Sequence, residues 1–305
     1  MSGTEAARDR SRPAPGDPAS VAGTSSLVWT PTGFSPAAGS DAEGDAGSRV
    51  ASATTTLAAD SWLVVDGRVL ALQRHQRRFA DAVAGAGGDP RAALTAAEAA
   101  MRHVPTRGRW SPRLDLTPDG IFLRIRPAPD ASTRIDVVTA SRDPRTLPHR
   151  KGPDLEALAA LQAKEAARIG APVEPIITVD GVVAEGTWSA LLWWRGEVLC
   201  MPAAGVPSLP SVTAAVLLAM ASERGIEVRR ERATPAALAD CEVWLANALR
   251  GIRAVSRWID GPDLAPPALA EPWQRRLDAL RVPPSPSDTS GDDGQRRGAA
   301  RVGAR

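Results

Sequence analysis

The chain has 305 residues, 43% hydrophobic and 24% charged, enough for one large folded unit or two modest ones with real cores. A formal net charge of +2 gives no electrostatic reason to expect nucleic acid, and no run approaches the ~18 apolar residues of a membrane span. The N-terminus lacks the apolar core of a secretion signal, and Cys200 and Cys241 have no paired spacing that would suggest a disulfide framework or a metal site. A reducing cytoplasm is the expected setting.

Residues 1–48 are rich in Gly, Pro, Ser, Ala and Asp, too poor in apolar surface to offset the entropy of ordering. They are expected to be disordered, with SLVWTPTGF (26–34) as the exception that can dock as an edge strand. Order begins at Asp60, where apolar runs flank Asp66-Gly67, a strong hairpin signal. Helical periodicity follows over 73–85, then an alanine-rich helix over 90–103. Strands are expected at PRLDL, IFLRIRP and RIDVVTA, the first two joined by the turn TPDG. Together these make a small α+β unit over 49–148.

A larger α+β unit, 149–282, starts near Lys151. DLEALAALQAKEAARIG reads as a helix with a cap at Asp154 and a stop at Gly170. Strands are expected at VEPIITVD, VVAEGTWSALLWWRG, EVLCMP, IEVRRER, EVWLANAL and AVSRWI, with helices over 211–224 and 268–281. The tail, 283–305, has the N-terminal composition and is likewise expected to be disordered. The break between the units, SRDPRTLPHRKGP, is short, which implies a shared interface.

Of the 37 basic residues only Lys151 and Lys164 are lysine. As a plain surface cation Lys151 would be ill placed, because a helix N-terminus disfavours positive charge. Lysine alone offers a primary amine, a nucleophile that can form a Schiff base and carry a tunable proton. Glu185 is a carboxylate late in an apolar strand, and a satisfied ion pair would account for it equally well. Ser211, Val212 and Thr213 open a helix after Pro210, where free N–H groups and a hydroxyl make either an ordinary cap or an anion site. Amine, acid and anion site together meet the requirements of pyridoxal phosphate: one forms the covalent link, one partners the ring nitrogen and one takes the phosphate.

On these residues the chain resembles the class IV aminotransferases, the fold-type IV pyridoxal phosphate enzymes that include branched-chain and D-amino-acid aminotransferases and aminodeoxychorismate lyase. HRKGPDL is similar to the family's lysine segment, DGVVAEGTWSALLWWRGEVLCMP to its Glu-Gly pattern, and LPSVTAAVL to its phosphate loop. CEVWLANALRGIRAV is similar to its late strand and turn, and DGRVLALQRHQRRF to its His-x-x-Arg helix. The resemblance runs from about Asp60 to Trp258. It implies a two-domain α+β fold with the cofactor in the cleft between domains, a small-molecule amino substrate and a homodimer.

Residue by residue, it implies Lys151 as the Schiff-base lysine and proton shuttle, and Glu185 as partner of the pyridine nitrogen. It implies Arg78, Val212, Thr213, Asn247 and Ala248 around the phosphate, and Arg113 where some members place a substrate-facing arginine. Three positions depart from the pattern, and one residue type is missing. Ser211 replaces the loop glycine, Ala214 the arginine after the threonine and Ala190 the usual asparagine, and the chain has no Tyr. The missing tyrosine argues against a branched-chain aminotransferase, while Asn-Ala-Leu at 247–249 is most like the lyase branch. Transamination and elimination therefore both stay open.

Two other classes of function are consistent with the sequence. One is a family member of weak or no activity serving as an interaction module; the other is a polyanion binder using its arginine-rich tails, which the near-neutral charge disfavours. His75, His103 and His149 show no metal-ligand spacing, and Trp188, Trp193 and Trp194 read as core. Lys164, with Glu165 and Arg168, reads as a solvated helix face.

Overall fold

The computed structural model describes residues 25–37 and 55–284; the disorder expected over 1–24, 38–48 and 285–305 lies outside them. Part of the 1–48 segment is folded. Ser25–Thr30 (β1) and Gly33–Pro36 (β2) form a hairpin, so SLVWTPTGF supplies two strands rather than one. Trp29 and Phe34 pack edge to face with centroids 5.0 Å apart and join the first core.

Ala58–Ser61 (β3) is followed by Val64–Val65 (β4) and Arg68–Val69 (β5). Asp66 and Gly67 close the turn between β4 and β5, both at positive φ, as a two-residue hairpin turn requires. Then come Leu72–Gly85 (α1), Pro90–Ala100 (α2), Arg109–Thr117 (β6) and Gly120–Pro127 (β7). Among the described residues these seven strands form one sheet, ordered β2-β1-β7-β6-β4-β5, with β3 also paired to β6. Phe79 and Val83 of α1 and Ala93, Ala96, Ala97 and Ala100 of α2 pack with Leu114, Leu123 and Ile125 of the sheet. The opposite face of β3 and β6 carries Ser61, Arg113 and Asp115, because alternate residues of a strand point to opposite faces.

The second sheet has eight strands among the described residues. Its elements are Arg134–Thr139 (β8), Leu155–Ile169 (α3), Val173–Val179 (β9), Val182–Gly186 (β10), Ala190–Arg195 (β11) and Val198–Pro202 (β12). Val212–Glu223 (α4), Val228–Glu231 (β13), Glu242–Asn247 (β14), Gly251–Ile259 (β15) and Ala270–Ala279 (α5) complete it. The strand order is β10-β9-β8-β15-β14-β11-β12-β13. Trp194 and Trp244 of the sheet pack with Trp273 of α5 into one aromatic cluster with centroids 5.4 to 5.8 Å apart.

Two elements differ from the sequence reading. RIDVVTA was expected in the first unit, but β8 pairs in parallel with β9 and β15, so the chain changes sheets between Pro127 and Arg134. Val137 and Val138 are both buried, as suits a strand covered on both faces. VVAEGTWSALLWWRG is not one strand: Thr187–Ser189 turns it into the antiparallel pair β10 and β11. The Glu174 carboxylate accepts from Trp188 N at 3.0 Å and also pairs with buried Arg253, pinning that turn. Gly186 leaves room for that carboxylate: a Cβ would stand 2.5 Å from Glu174 Oε1 and force it to shift.

Candidate active site

Lys151 lies just before α3, where a close approach of two backbones fixes it. Gly152 has φ 141°, and a Cβ on it would sit 2.7 Å from Ala58 Cα. This approach lets Ala59 N donate to the Lys151 carbonyl at 2.7 Å and brings Lys151 Nζ to Ser61 Oγ at 2.8 Å. Burial pushes the amine down to about 8 from 10.5, with the Asp60 charge opposing and Arg78 reinforcing the shift. The neutral, nucleophilic form is therefore far more abundant at neutral pH than for an ordinary lysine.

Asp60, next to Ser61, is fully buried. Its carboxylate accepts from Arg78 Nε at 2.7 Å, Arg78 Nη2 at 2.9 Å and Ser61 N at 2.7 Å, and meets His75 Nδ1 at 2.9 Å. Burial works to raise this carboxyl, but Arg78 and His75 outweigh it and hold the group well below the usual range. Burial also lowers His75, against the pull of Asp60, which favours the neutral ring. The remaining Arg78 nitrogen, Nη1, donates to the Pro210 carbonyl at 3.0 Å, tying α1 to the loop that opens α4.

Glu185 is the penultimate residue of β10, 8% exposed. Its Oε1 accepts from Arg145 Nη1 at 2.5 Å and its Oε2 from Leu209 N at 3.0 Å. Arg145 also pairs with Asp143 at 2.8 Å and donates to Pro207 O at 2.9 Å. Burial raises the Glu185 carboxyl and Arg145 opposes it. At the start of α4 the Ser211 hydroxyl accepts from Ala214 N at 3.2 Å, the expected cap. The amides of Val212 and Thr213 lie in the first turn, where a helix supplies no acceptor of its own.

These groups meet at two adjoining cavities of about 100 Å³ and about 1080 Å³ that share Arg78, Lys151, Glu185, Ser211 and Val212. The smaller one is lined by Lys151, Arg78, Glu185, Val212, Thr213, Asn247 and Ala248, seven of the eight residues singled out in the sequence. Arg113 is the exception. It lines neither cavity and pairs with Asp115, Nε donating to Oδ1 at 2.7 Å. Asn247 Nδ2 donates to Ser189 Oγ at 3.0 Å, and its own Oδ1 accepts from Leu249 N and Arg250 N, shaping the turn.

Several roles differ from the sequence reading. Asp154 makes no capping bond; its carboxylate instead accepts from Thr146 N, Thr146 Oγ1 and Leu147 N, folding the approach to Lys151. Trp193 and Trp194 are core, but Trp188 sits in the turn, 38% exposed, against the smaller cavity. Lys164 is exposed as expected, whereas Glu165 is buried and accepts from Arg168 and Ser141 N. Among the described residues no group of His, Cys, Asp and Glu could hold a metal, and no helix is long and apolar enough to cross a membrane.

Residues 57–258 match the family model described as amino-transferase class IV, well over half of the chain. The chain belongs to the class IV aminotransferase family. Solved structures of like fold include fold IV-transaminase CpuTA1 from Curtobacterium pusillum, 24% identical over 84% of this chain and 97% of that one, TM-score 0.68. A hypothetical aminotransferase from Mycobacterium tuberculosis, in its α-ketoglutarate- and PMP-bound form, is 20% identical over 83% and 98%, TM-score 0.68. A candidate 4-amino-4-deoxychorismate lyase from Legionella pneumophila is 16% identical over 73% and 90%, TM-score 0.62. At such identities the likeness is one of fold. Among curated protein sequences none matches significantly.

Class IV aminotransferases use pyridoxal phosphate, and the donor set of this member suits that group. First-turn amides and a guanidinium suit a phosphate, a buried carboxylate suits a ring nitrogen, and an amine of lowered pKa suits an aldehyde. Three residues of the site escaped the sequence reading. Asp60 and Ser61 carried a weak signal, two polar residues in an apolar strand, which must find partners if buried. Arg145 carried none, being one arginine among 35.

Proposed function

We propose that this class IV member is a pyridoxal phosphate-dependent enzyme acting on an amino acid or on aminodeoxychorismate, by transamination or by elimination, through Lys151. The observation that carries this reading is the Lys151 amine, held by Ser61 and lowered to about 8, on a cavity that Glu185 and the start of α4 also line. When bound, the cofactor supplies an electron sink for the pair left when a bond at the substrate's amino carbon breaks. Lys151 Nζ would be the amine that holds the cofactor's aldehyde and the base that moves the proton of the substrate's α-carbon. Glu185, its position fixed by Arg145 and Leu209 N, would partner the ring nitrogen and favour its protonated form. Arg78, the Val212 and Thr213 amides, the Thr213 hydroxyl and the Asn247–Ala248 turn would hold the phosphate.

The two sheets act in this reading as small and large domains with the cofactor between them. A homodimer and a cytoplasmic setting go with it; the free, buried Cys200 and Cys241 suit a reducing compartment. The test is a visible spectrum of the chain purified with pyridoxal phosphate, before and after borohydride, beside Lys151→Ala. A yellow band bleached by borohydride and fixed on Lys151 is expected; a band unchanged in Lys151→Ala would overturn the assignment. Release of pyruvate from aminodeoxychorismate, set against amino transfer to a keto acid, then separates elimination from transamination.

A further inference from the structure

The larger cavity extends beyond the Lys151–Glu185 end into a groove between α1 and α4. Its volume, about 1080 Å³, stands at the top of the roughly 300–1,000 Å³ typical of small-ligand pockets, ample for a ligand beside the cofactor. One wall is a single stripe of α1, where Arg74, Arg77 and Asp81 recur at helical spacing. Arg150 and Arg230 add to it. Apolar side chains line the groove as well, Ala203 and Val206 from the loop after β12 and Ala214 and Leu218 from α4.

The charge of this groove is unbalanced. Arg78 is taken up by Asp60 and Glu185 by Arg145. Among the described residues, Arg74, Arg77, Arg150 and Arg230 have no carboxylate within ion-pair distance, which leaves four guanidiniums against the single unpaired carboxylate of Asp81. Cations gathered on a concave surface with low-dielectric walls focus their field into the cleft and favour a multiply charged anion. The apolar lining favours a ligand with an apolar body.

We propose that the groove between α1 and α4 binds an organic polyanion: two or more negative charges carried on an aromatic or aliphatic frame. The guanidiniums of Arg74, Arg77 and Arg230 take the charges, and Val206, Ala214 and Leu218 cover the frame. This site is distinct from the proposed phosphate anchor at Arg78 and Val212, and it does not require Lys151.

The test is isothermal titration of the full chain, saturated with pyridoxal phosphate, with naphthalene-1,5-disulfonate, two sulfonates on an apolar ring system. One molecule per chain is expected to bind, at least tenfold more tightly than inorganic sulfate and more weakly as salt rises. The double variant Arg74→Ala, Arg77→Ala should bind at least tenfold more weakly, while Arg102→Ala, exposed and outside the groove, binds as the parent does. Circular dichroism checks that the variants fold, which the exposed positions of Arg74 and Arg77 favour. Equal affinity in the double variant, or sulfate binding as well as the disulfonate, would overturn the proposal. Binding retained in Lys151→Ala keeps the result separate from the fate of the catalytic reading.

Discussion

In the folded chain the Lys151 amine titrates near 8, against 10.5 for an ordinary lysine. Below pH 8 the folded and unfolded chains both carry the proton, and folding bears the full cost of burying a cation. Between 8 and 10.5 only the folded chain sheds it, so the cost fades, and above 10.5 it is gone. The cofactor-free Lys151→Met variant should therefore be more stable than the parent by about 3 kcal/mol at pH 7, a gap that closes as pH approaches 10.5. Urea unfolding of both chains from pH 7 to 11 measures it; a gap constant with pH would contradict buried charge as the cause. Ser61 works in the other direction, since an oxygen accepting from the amine favours the charged form. Ser61→Ala should lower the Lys151 titration further. With two lysines in the chain, ε-carbon labelling gives two NMR signals, told apart by Lys164→Arg, and an unmoved titration would mean the hydroxyl has no hold on the amine.

At the scale of elements, Gly152 does what no other residue type can: it brings the segment before α3 against β3. Alanine there would strain the backbone at φ 141° and put a methyl against Ala58 backbone atoms at 2.7 to 2.9 Å. Gly152→Ala should cost about 1–3 kcal/mol and move Lys151 off Ser61, weakening cofactor uptake. Gly170→Ala is the matched control, also at positive φ but with open space around it, and should lower stability while leaving the Lys151 titration in place. Equal loss of cofactor uptake in the two variants would show strain alone, not the approach to β3, to be responsible.

The same pair marks how far the sequence could be read. Gly170 was legible as a helix stop and Asp66-Gly67 as a turn, because both act within their own few residues. Lys151 was legible as a rare residue type and the start of α4 as a local helix signal, whereas Glu185, one glutamate among many, became a candidate through the family resemblance. Ser61 was not legible, since its partner lies 90 residues away and only the close approach of Gly152 to β3 brings the two together. The turn inside VVAEGTWSALLWWRG was hidden for a like reason: Glu174 on the neighbouring strand pins it.

Across the whole molecule, the groups assigned to the cofactor come from both sheets' surroundings: Arg78 from α1, Glu185 from β10, Val212 from α4 and Lys151 from the segment before α3. Direct ties join these parts. They include Arg78 to Pro210 O, Arg150 to Gly85 O, Ala59 N to Lys151 O and the bridge from Val69 to Val282. A ligand gripping both sides binds the folded chain and not the unfolded one, and stabilises it by mass action. At a hundredfold excess over Kd that is about 2.7 kcal/mol, or roughly 5–10 °C in Tm for a chain of this size. Pyridoxal phosphate should produce that shift in the parent, and inorganic phosphate a smaller one through Arg78 and the α4 amides alone. Lys151→Met should keep the phosphate shift and lose most of the extra given by pyridoxal phosphate. Thermal melts across both ligands and both chains decide it: equal shifts from the two ligands in the parent would leave the amine no part in binding, whereas loss of both shifts in Lys151→Met would mean that the substitution had disturbed the anion site itself.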